Sequence, residues 1–135
     1  MKGTKSELIT RLDNVFSLYI RLRDASPNGT FRCISCGQIK SFEQADCGHY
    51  ISRQHMSLRF DEKNCNAQCK TCNEYQDGNI QRYRMGLITK YGEETVEWME
   101  SQKNQINKIS ESDLRDKIAY YRKEVKRLEK EKSIK

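Results

Sequence analysis

No apolar run in this chain approaches the length that crosses a bilayer, and the N-terminus lacks the apolar core of a secretory signal. Both absences argue against a membrane-embedded or exported protein and predict a cytoplasmic one. Apolar residues are scarce throughout: they make up 36% of the 135 residues, against 33% charged, and mean hydropathy is −0.94. Such a chain buries a modest core. That suits one compact domain, or a small core with helical appendages, stapled by a metal rather than held by a large hydrophobic interior. Repeats are absent beyond one paired cysteine motif, and the histidines are His49 and His55 alone.

Against this background six cysteines stand out. In a reducing compartment they read as metal ligands more readily than as disulfides. Cys33-Ile34-Ser35-Cys36 and Cys69-Lys70-Thr71-Cys72 are two Cys-x-x-Cys knuckles. Four thiolates in two close pairs suit one tetrahedral structural Zn²⁺. Cys47 and Cys65 are left over as small buried residues or free thiols, with a disulfide between them as the alternative. Net charge is +6, unevenly spread around an acidic island at Glu93, Glu94, Glu97 and Glu100. A basic balance of this size is compatible with a nucleic-acid partner without requiring one.

The apolar pattern divides the chain into three parts: 1–30, 31–92 and 93–135. In the first, Leu8, Leu12, Val15, Phe16, Tyr19 and Leu22 recur at helical spacing behind a Thr4/Glu7 capping box, predicting a helix over 4–25. Ser26-Pro27-Asn28-Gly29 stops it. In the second, residues 38–60 carry short apolar pieces without helical period, predicting two or three short strands. A short helix over 70–76 and a longer one over 79–91 follow, the latter with Ile80, Tyr83, Leu87 and Ile88 on one face. In the third, 93–109 reads as a helix with Val96, Met99, Ile106 and Ile109 inward. From Asp113, Leu114, Ile118, Tyr121, Val125 and Leu128 form a seam of about two heptads. That seam either packs back on its own chain or makes a homodimer through the C-terminal helices. Glu129 to Lys135 are expected to fray.

The chemistry suggested by the middle part is phosphodiester hydrolysis. It needs a base for water, a divalent cation to offset phosphate charge, and cationic side chains on the backbone. A neutral imidazole, here His49, suits the first task. An amide oxygen and a carboxylate suit Mg²⁺ or Mn²⁺, and Asp46 is the carboxylate nearest His49 in sequence. On a regular strand Asp46 and His49 would leave opposite faces, so Asp46 is expected to help only through a bulge, with Asp61 or Glu62 as substitutes. Arg53, Arg59, Lys70, Arg82 and Arg84 are candidate DNA contacts, although Arg53 and Arg59 could instead pair with Asp61 or Glu62. Asn73 could equally be a helix cap, Arg21 and Arg23 a solvated face, and Tyr50 and Tyr83 parts of a small core.

At these residues the chain resembles the HNH (ββα-metal) endonucleases: a knuckle, a His on the first strand, an Asn before the second knuckle, and an Asn just after it. The likeness narrows at Phe16 through Ala25, Cys33–Cys36, Gly48-His49-Tyr50, Leu58 through Glu62 with Asn64, and Gln68-Cys69 through Cys72-Asn73. Gly78-Asn79, Tyr83-Arg84 and Leu87-Ile88 extend it. Over roughly 10–92 the chain is similar to the NinG (Rap) recombination proteins of lambdoid phages. The resemblance implies an α+β fold, with a small zinc-stapled ββα-metal core flanked by an N-terminal helix and C-terminal helices. It further implies a phage or prophage endodeoxyribonuclease acting on branched DNA such as Holliday junctions or D-loops. By the same resemblance His49 is the general base, Asn64 braces the loop that positions it, and Asn73 ligates the catalytic Mg²⁺ or Mn²⁺. One position departs from many HNH enzymes: Gly48 stands where an acidic or His ligand precedes the base. The competing reading is a zinc-stabilised DNA-binding protein or recombination adaptor without catalysis.

Overall fold

A computed structural model of the protein describes residues 2–134. It is a mixed α+β fold with two small two-stranded sheets among five α-helices. Helix α1 (Lys5–Asp24) begins at the capping box: the Thr4 side chain accepts from the Glu7 N–H, and Glu7 reaches back to Thr4. Leu8, Leu12, Phe16, Ile20 and Leu22 are its buried stripe. Strands β1 (Thr30–Arg32) and β2 (Ile39–Ser41) form a hairpin whose turn is the first knuckle. Strands β3 (Ala45–His49) and β4 (Cys65–Cys69) pair antiparallel, Ala45 opposite Cys69 and His49 opposite Cys65, without a bulge. Every residue of β4 is buried, which fits its place between α1 and the knuckles. Between β3 and β4 the chain makes a one-turn helix, α2 (Met56–Arg59), where Leu58 and Phe60 were expected in strand. A segment that short takes its state from tertiary contacts rather than from its own pattern.

After β4, the expected helix over 70–76 is a single wide turn, Thr71–Tyr75, in the π geometry. Helix α3 (Ile80–Tyr91) follows and buries Tyr83 and Leu87, but leaves Ile80 exposed. It lies so close to the first knuckle that a Cβ on Gly86 would stand 2.0 Å from the Ile34 carbonyl oxygen. Helix α4 (Glu93–Gln102) is shorter than the 93–109 expected. Its Val96 and Met99 close a small core with Tyr50, Leu58, Tyr83 and Leu87. Ile106 points into solvent, 87% exposed, and Ile109 is buried at the approach to the last helix.

Helix α5 (Glu111–Lys132), capped by Ser110, is the heptad seam. Leu114, Ile118, Tyr121, Val125 and Leu128 are buried against α1 in the largest core cluster. The seam therefore packs back on its own chain, the first of its two readings, and this face is not open for a homodimer. Its end does not fray: Lys132 Nζ donates to the carbonyls of Leu22, Arg23 and Ala25 at 2.8, 2.9 and 2.7 Å. An ammonium on the last carbonyls of α1 answers both their unmet acceptors and the helix dipole. Ile134 is buried beyond it, and Lys135 lies outside the described residues. Glu62, from the loop before β4, accepts from Tyr19 and Tyr121 at 2.8 and 2.9 Å and so ties α1 and α5 to the strand region. No helix among the described residues is long and apolar enough to cross a membrane.

Candidate metal centre and cavity

The Sγ atoms of Cys33, Cys36, Cys69 and Cys72 lie within 4.8 Å of one another, with Cys36 and Cys69 3.8 Å apart. The hairpin turn brings the first pair and the end of β4 the second. The Cys36 and Cys69 amides point at Cys33 Sγ at 3.5 and 3.3 Å. Burial raises the Cys33 thiol, but the amides of Cys69, Cys36 and Ser35 outweigh it and hold the group below its usual value. Amides aimed at sulfur favour the thiolate that a metal requires. The all-sulfur set fits a closed structural site, and this group could hold a metal such as Zn²⁺.

A separate cavity of about 480 Å³ opens between α1, β3 and the turn after the second knuckle. Asp13, Asp46, Cys47, His49, Ser52, Arg53 and Asn73 are among its walls. His49 and Asp46 thus share one cavity although the β3–β4 ladder is regular. The expected bulge is not needed, because β3 has a ladder partner on one side only and the cavity is reached round its open edge. Asp46 Oδ2 accepts from the Asn73 amide at 3.0 Å, and Oδ1 from Lys70 Nζ at 2.6 Å. Asn73 does not cap a helix; it sits inside the wide turn and faces the carboxylate.

His49 Nε2 lies 3.0 Å from the Arg59 carbonyl oxygen. A carbonyl can only accept, so Nε2 carries the proton and the neutral ring keeps its lone pair on Nδ1. Burial pushes the imidazolium below its ordinary 6.5; the Arg59 carbonyl pulls the other way, and Arg53 adds to the depression. The residue carrying that carbonyl is held in place by its neighbours. Arg59 donates from Nε and a terminal nitrogen to the two Asp13 oxygens, at 3.0 and 2.5 Å. Asn64, fully buried, binds both Ile51 backbone groups and the Leu58 carbonyl. The loop from β3 to β4 is thereby clamped on both sides of the ring.

Gly48 acquires a physical reason. A Cβ there would stand 2.1 Å from Gln68 Oε1 and 3.0 Å from Gln68 Cβ. Gln68 is buried and donates to Ser35 Oγ at 2.9 Å and to the Gly78 carbonyl at 2.5 Å. A side chain at position 48 would have to displace Gln68 from these bonds, and the carboxylates that share a cavity with the imidazole are Asp13 and Asp46 instead.

The five candidate DNA contacts separate. Arg59 is spent on Asp13, Arg84 on Glu100 at 2.8 Å, and Lys70 on Asp46. Those three are not free cations in this structure, and the partner of Arg59 is Asp13 rather than Asp61 or Glu62. Arg53 is exposed, with only a 3.9 Å approach to Asp13. Arg82 is exposed on α3 and lines a larger concavity, about 790 Å³, beside the first knuckle with Arg32 and Lys90. That concavity lacks an imidazole and has Asp24 as its carboxylate, itself bound to Arg23, Lys90 and the Ala67 amide. Arg23, expected on a solvated face, donates to the Glu62 and Cys65 carbonyls. Tyr50 and Tyr83 do close a core, and Tyr83 donates to the Gly48 carbonyl at 2.6 Å. Asp13 escaped the sequence reading. It sits one turn before Phe16 on α1, and nothing in a helical period says that an acidic residue will meet an arginine from a loop far along the chain.

The family model described as Bacteriophage Lambda NinG protein matches residues 2–131. Protein ninG of Escherichia phage 933W is 39% identical over 101 residues, 74% of this chain and 48% of that protein. Protein ninG of Escherichia phage lambda is 38% identical over 101 residues, 74% and 47% of the two chains. That of Salmonella phage P22 is 38% identical over 98 residues, 72% and 46%. The chain spans about half the length of these relatives, and no solved structure matches it. The family match over nearly the whole sequence and the identity to these relatives lead to one conclusion: this chain belongs to the NinG family of lambdoid phage proteins.

Proposed function

We propose that the protein is a metal-dependent endonuclease of the HNH type that cuts branched recombination DNA. The observation that carries the reading is His49. Its tautomer is fixed by the Arg59 carbonyl, it stays neutral at pH 7, and it lines one cavity with an oxygen-donor pair, Asp46 and Asn73. The strand–strand–turn order of β3, β4 and Thr71–Tyr75 supports the same reading, with the departure that the helix after the knuckle is one turn.

In this mechanism His49 Nδ1 takes a proton from water as its oxygen attacks phosphorus, and the P–O bond to the leaving sugar breaks. Asp46 and Asn73 would suit a hard cation once the Asn73 amide, which here donates to Asp46 Oδ2, turns its oxygen toward the ion. Lys70 on Asp46 Oδ1 marks the position as one where positive charge is favourable. A bound Mg²⁺ or Mn²⁺ would offset charge on the phosphate and on the leaving oxygen. Asn64 and the Arg59–Asp13 pair position the base, and Arg53 holds the DNA backbone at the cavity mouth. Cys33, Cys36, Cys69 and Cys72 would hold the Zn²⁺ that staples the frame.

The test is cutting of labelled Holliday junction, D-loop, linear duplex and single strand with Mg²⁺, Mn²⁺ or EDTA, by wild type, His49→Ala and Asp46→Ala. Metal-dependent cleavage of branched substrates that both substitutions abolish is the expected result. Junction binding with no cleavage under any metal favours the non-catalytic module. The Lys70–Asp46 pair is the observation on that side, since it neutralises the carboxylate without any ion.

A further inference from the structure

Cys47 and Cys65 have no part in the zinc staple or in the proposed reaction, yet they converge on the candidate base. Both are free thiols. Cys47 and His49 leave the same face of β3, and His49 lies directly opposite Cys65 on β4. Their two sulfurs and a ring nitrogen all lie within 4.8 Å of one another. Cys65 Sγ and His49 Nε2 approach the same carbonyl, that of Arg59, at 3.7 and 3.0 Å.

A disulfide is the poorer use of this pair. Cys47 faces Ala67, not Cys65, so the two cysteines are diagonal neighbours. Diagonal positions stand roughly 7–8 Å apart at Cα, beyond the ~4.4–6.8 Å that a disulfide normally bridges. One ion with bonds of ~2.3 Å to sulfur and ~2.0 Å to nitrogen spans the same gap without moving the strands far. Two thiolates and an imidazole are a soft donor set that selects Zn²⁺ over Mg²⁺ or Mn²⁺. Cys47 and His49 both line the cavity, so an ion held there would be reached from it.

We infer that Cys47, His49 and Cys65 form a second Zn²⁺ site, distinct from the four-cysteine staple, whose occupation switches off the imidazole as a base. Zinc enters with release of the two thiol protons and takes His49 Nε2 in place of the Arg59 carbonyl. A neutral imidazole bound through Nε2 carries its one proton on Nδ1, so the lone pair that would accept from water is gone. The site does not depend on the nuclease reading; its effect on cleavage does.

The experiment is anaerobic titration of the reduced, metal-free full chain with Co²⁺, followed by Zn²⁺ displacement. It counts equivalents and records thiolate-to-cobalt charge transfer. Wild type should bind two equivalents, the second adding charge transfer from two further thiolates. Cys47→Ala should bind one, with the four-sulfur spectrum of the staple intact, which also shows that the variant has folded. His49→Ala should weaken the second equivalent and leave the first. Saturation of wild type at one equivalent overturns the inference, and so does a second equivalent that survives Cys47→Ala. On the nuclease reading, zinc beyond one equivalent should slow Mg²⁺-supported cleavage by roughly the 10²–10⁴-fold that a general base supplies. Uninhibited cleavage by doubly loaded protein overturns the assigned effect on His49. Absence of cleavage with every metal, in singly loaded protein, sinks the nuclease reading and leaves the metal count standing.

Discussion

Truncating Asn64 to Ala should both destabilise the protein and loosen its candidate base. The side chain is fully buried. Its Oδ1 accepts from the Ile51 amide at 2.8 Å, and its Nδ2 donates to the Ile51 and Leu58 carbonyls at 3.0 and 3.1 Å. Alanine removes all of these bonds and leaves a void. With each bond worth about 0.5–1.5 kcal/mol net and higher penalties where a partner stays dry, the loss should be about 2–4 kcal/mol. Half-buried Ile51 can turn to water, which keeps the figure from the upper extreme. Asn64→Asp should cost at least as much at neutral pH, because it sets a carboxylate oxygen against two carbonyls. Urea denaturation at fixed Zn²⁺ reads the loss as a lower midpoint at unchanged slope. Because Leu58 adjoins Arg59, whose carbonyl holds His49 Nε2 and favours the imidazolium, losing that contact should move the imidazole still further below its ordinary 6.5 in the variant. A loss below about 1 kcal/mol, with the His49 titration unmoved, would refute the reasoning that Asn64 clamps this loop.

Further outcomes follow from single contacts. Gly48→Ala drives a methyl into buried Gln68 and should cost about 1–3 kcal/mol, partly regained in Gly48→Ala/Gln68→Ala; equal costs in both backgrounds would contradict the steric account. Ile118→Ala, at a fully buried site between α5 and α1, should cost about 2–5 kcal/mol by thermal melting and leave sedimentation unchanged, since the seam is filled within one chain. For pH, the sign runs with the depressed value of His49. The folded imidazole is neutral and competent as a base down to below 6.5, so the acid limb of a cleavage profile should fall below that value. The associated stability is present above 6.5 and drains away as pH falls through the lower folded value, because the unfolded chain takes up the proton first. An acid limb above 6.5 would be the contrary result.

Much of this arrangement can be read from the residues, and the reasons are local. The Thr4/Glu7 box starts α1, and the 4–3 spacing from Leu114 to Leu128 fixes both α5 and its buried face. The two knuckles are legible because Cys-x-x-Cys spacing already nests two sulfurs, one pair in the β1–β2 turn and the other at the end of β4. What escapes the pattern is long-range pairing. Asp13 with Arg59, Arg84 with Glu100 and Lys132 with the end of α1 join residues that no period connects. Each removes a cation that composition alone counts as free. Asp46 illustrates a related limit of pattern: alternation assigns a strand face, yet one cavity here is lined by Asp46 and His49 together. The heptad seam likewise reveals that a face is apolar and leaves open which face covers it; α1, first in sequence, does so.

The account turns on His49 acting as the base of a metal-dependent cut. The most direct measurement is single-turnover cleavage of a labelled Holliday junction by His49→Ala in Mg²⁺ or Mn²⁺, with and without added imidazole. The account predicts a loss of roughly 10²–10⁴-fold, unchanged junction binding, and partial recovery with free imidazole whose own pKa sets the pH dependence. Cleavage at the wild-type rate by His49→Ala, or no cleavage by the wild-type protein with either metal, would contradict it.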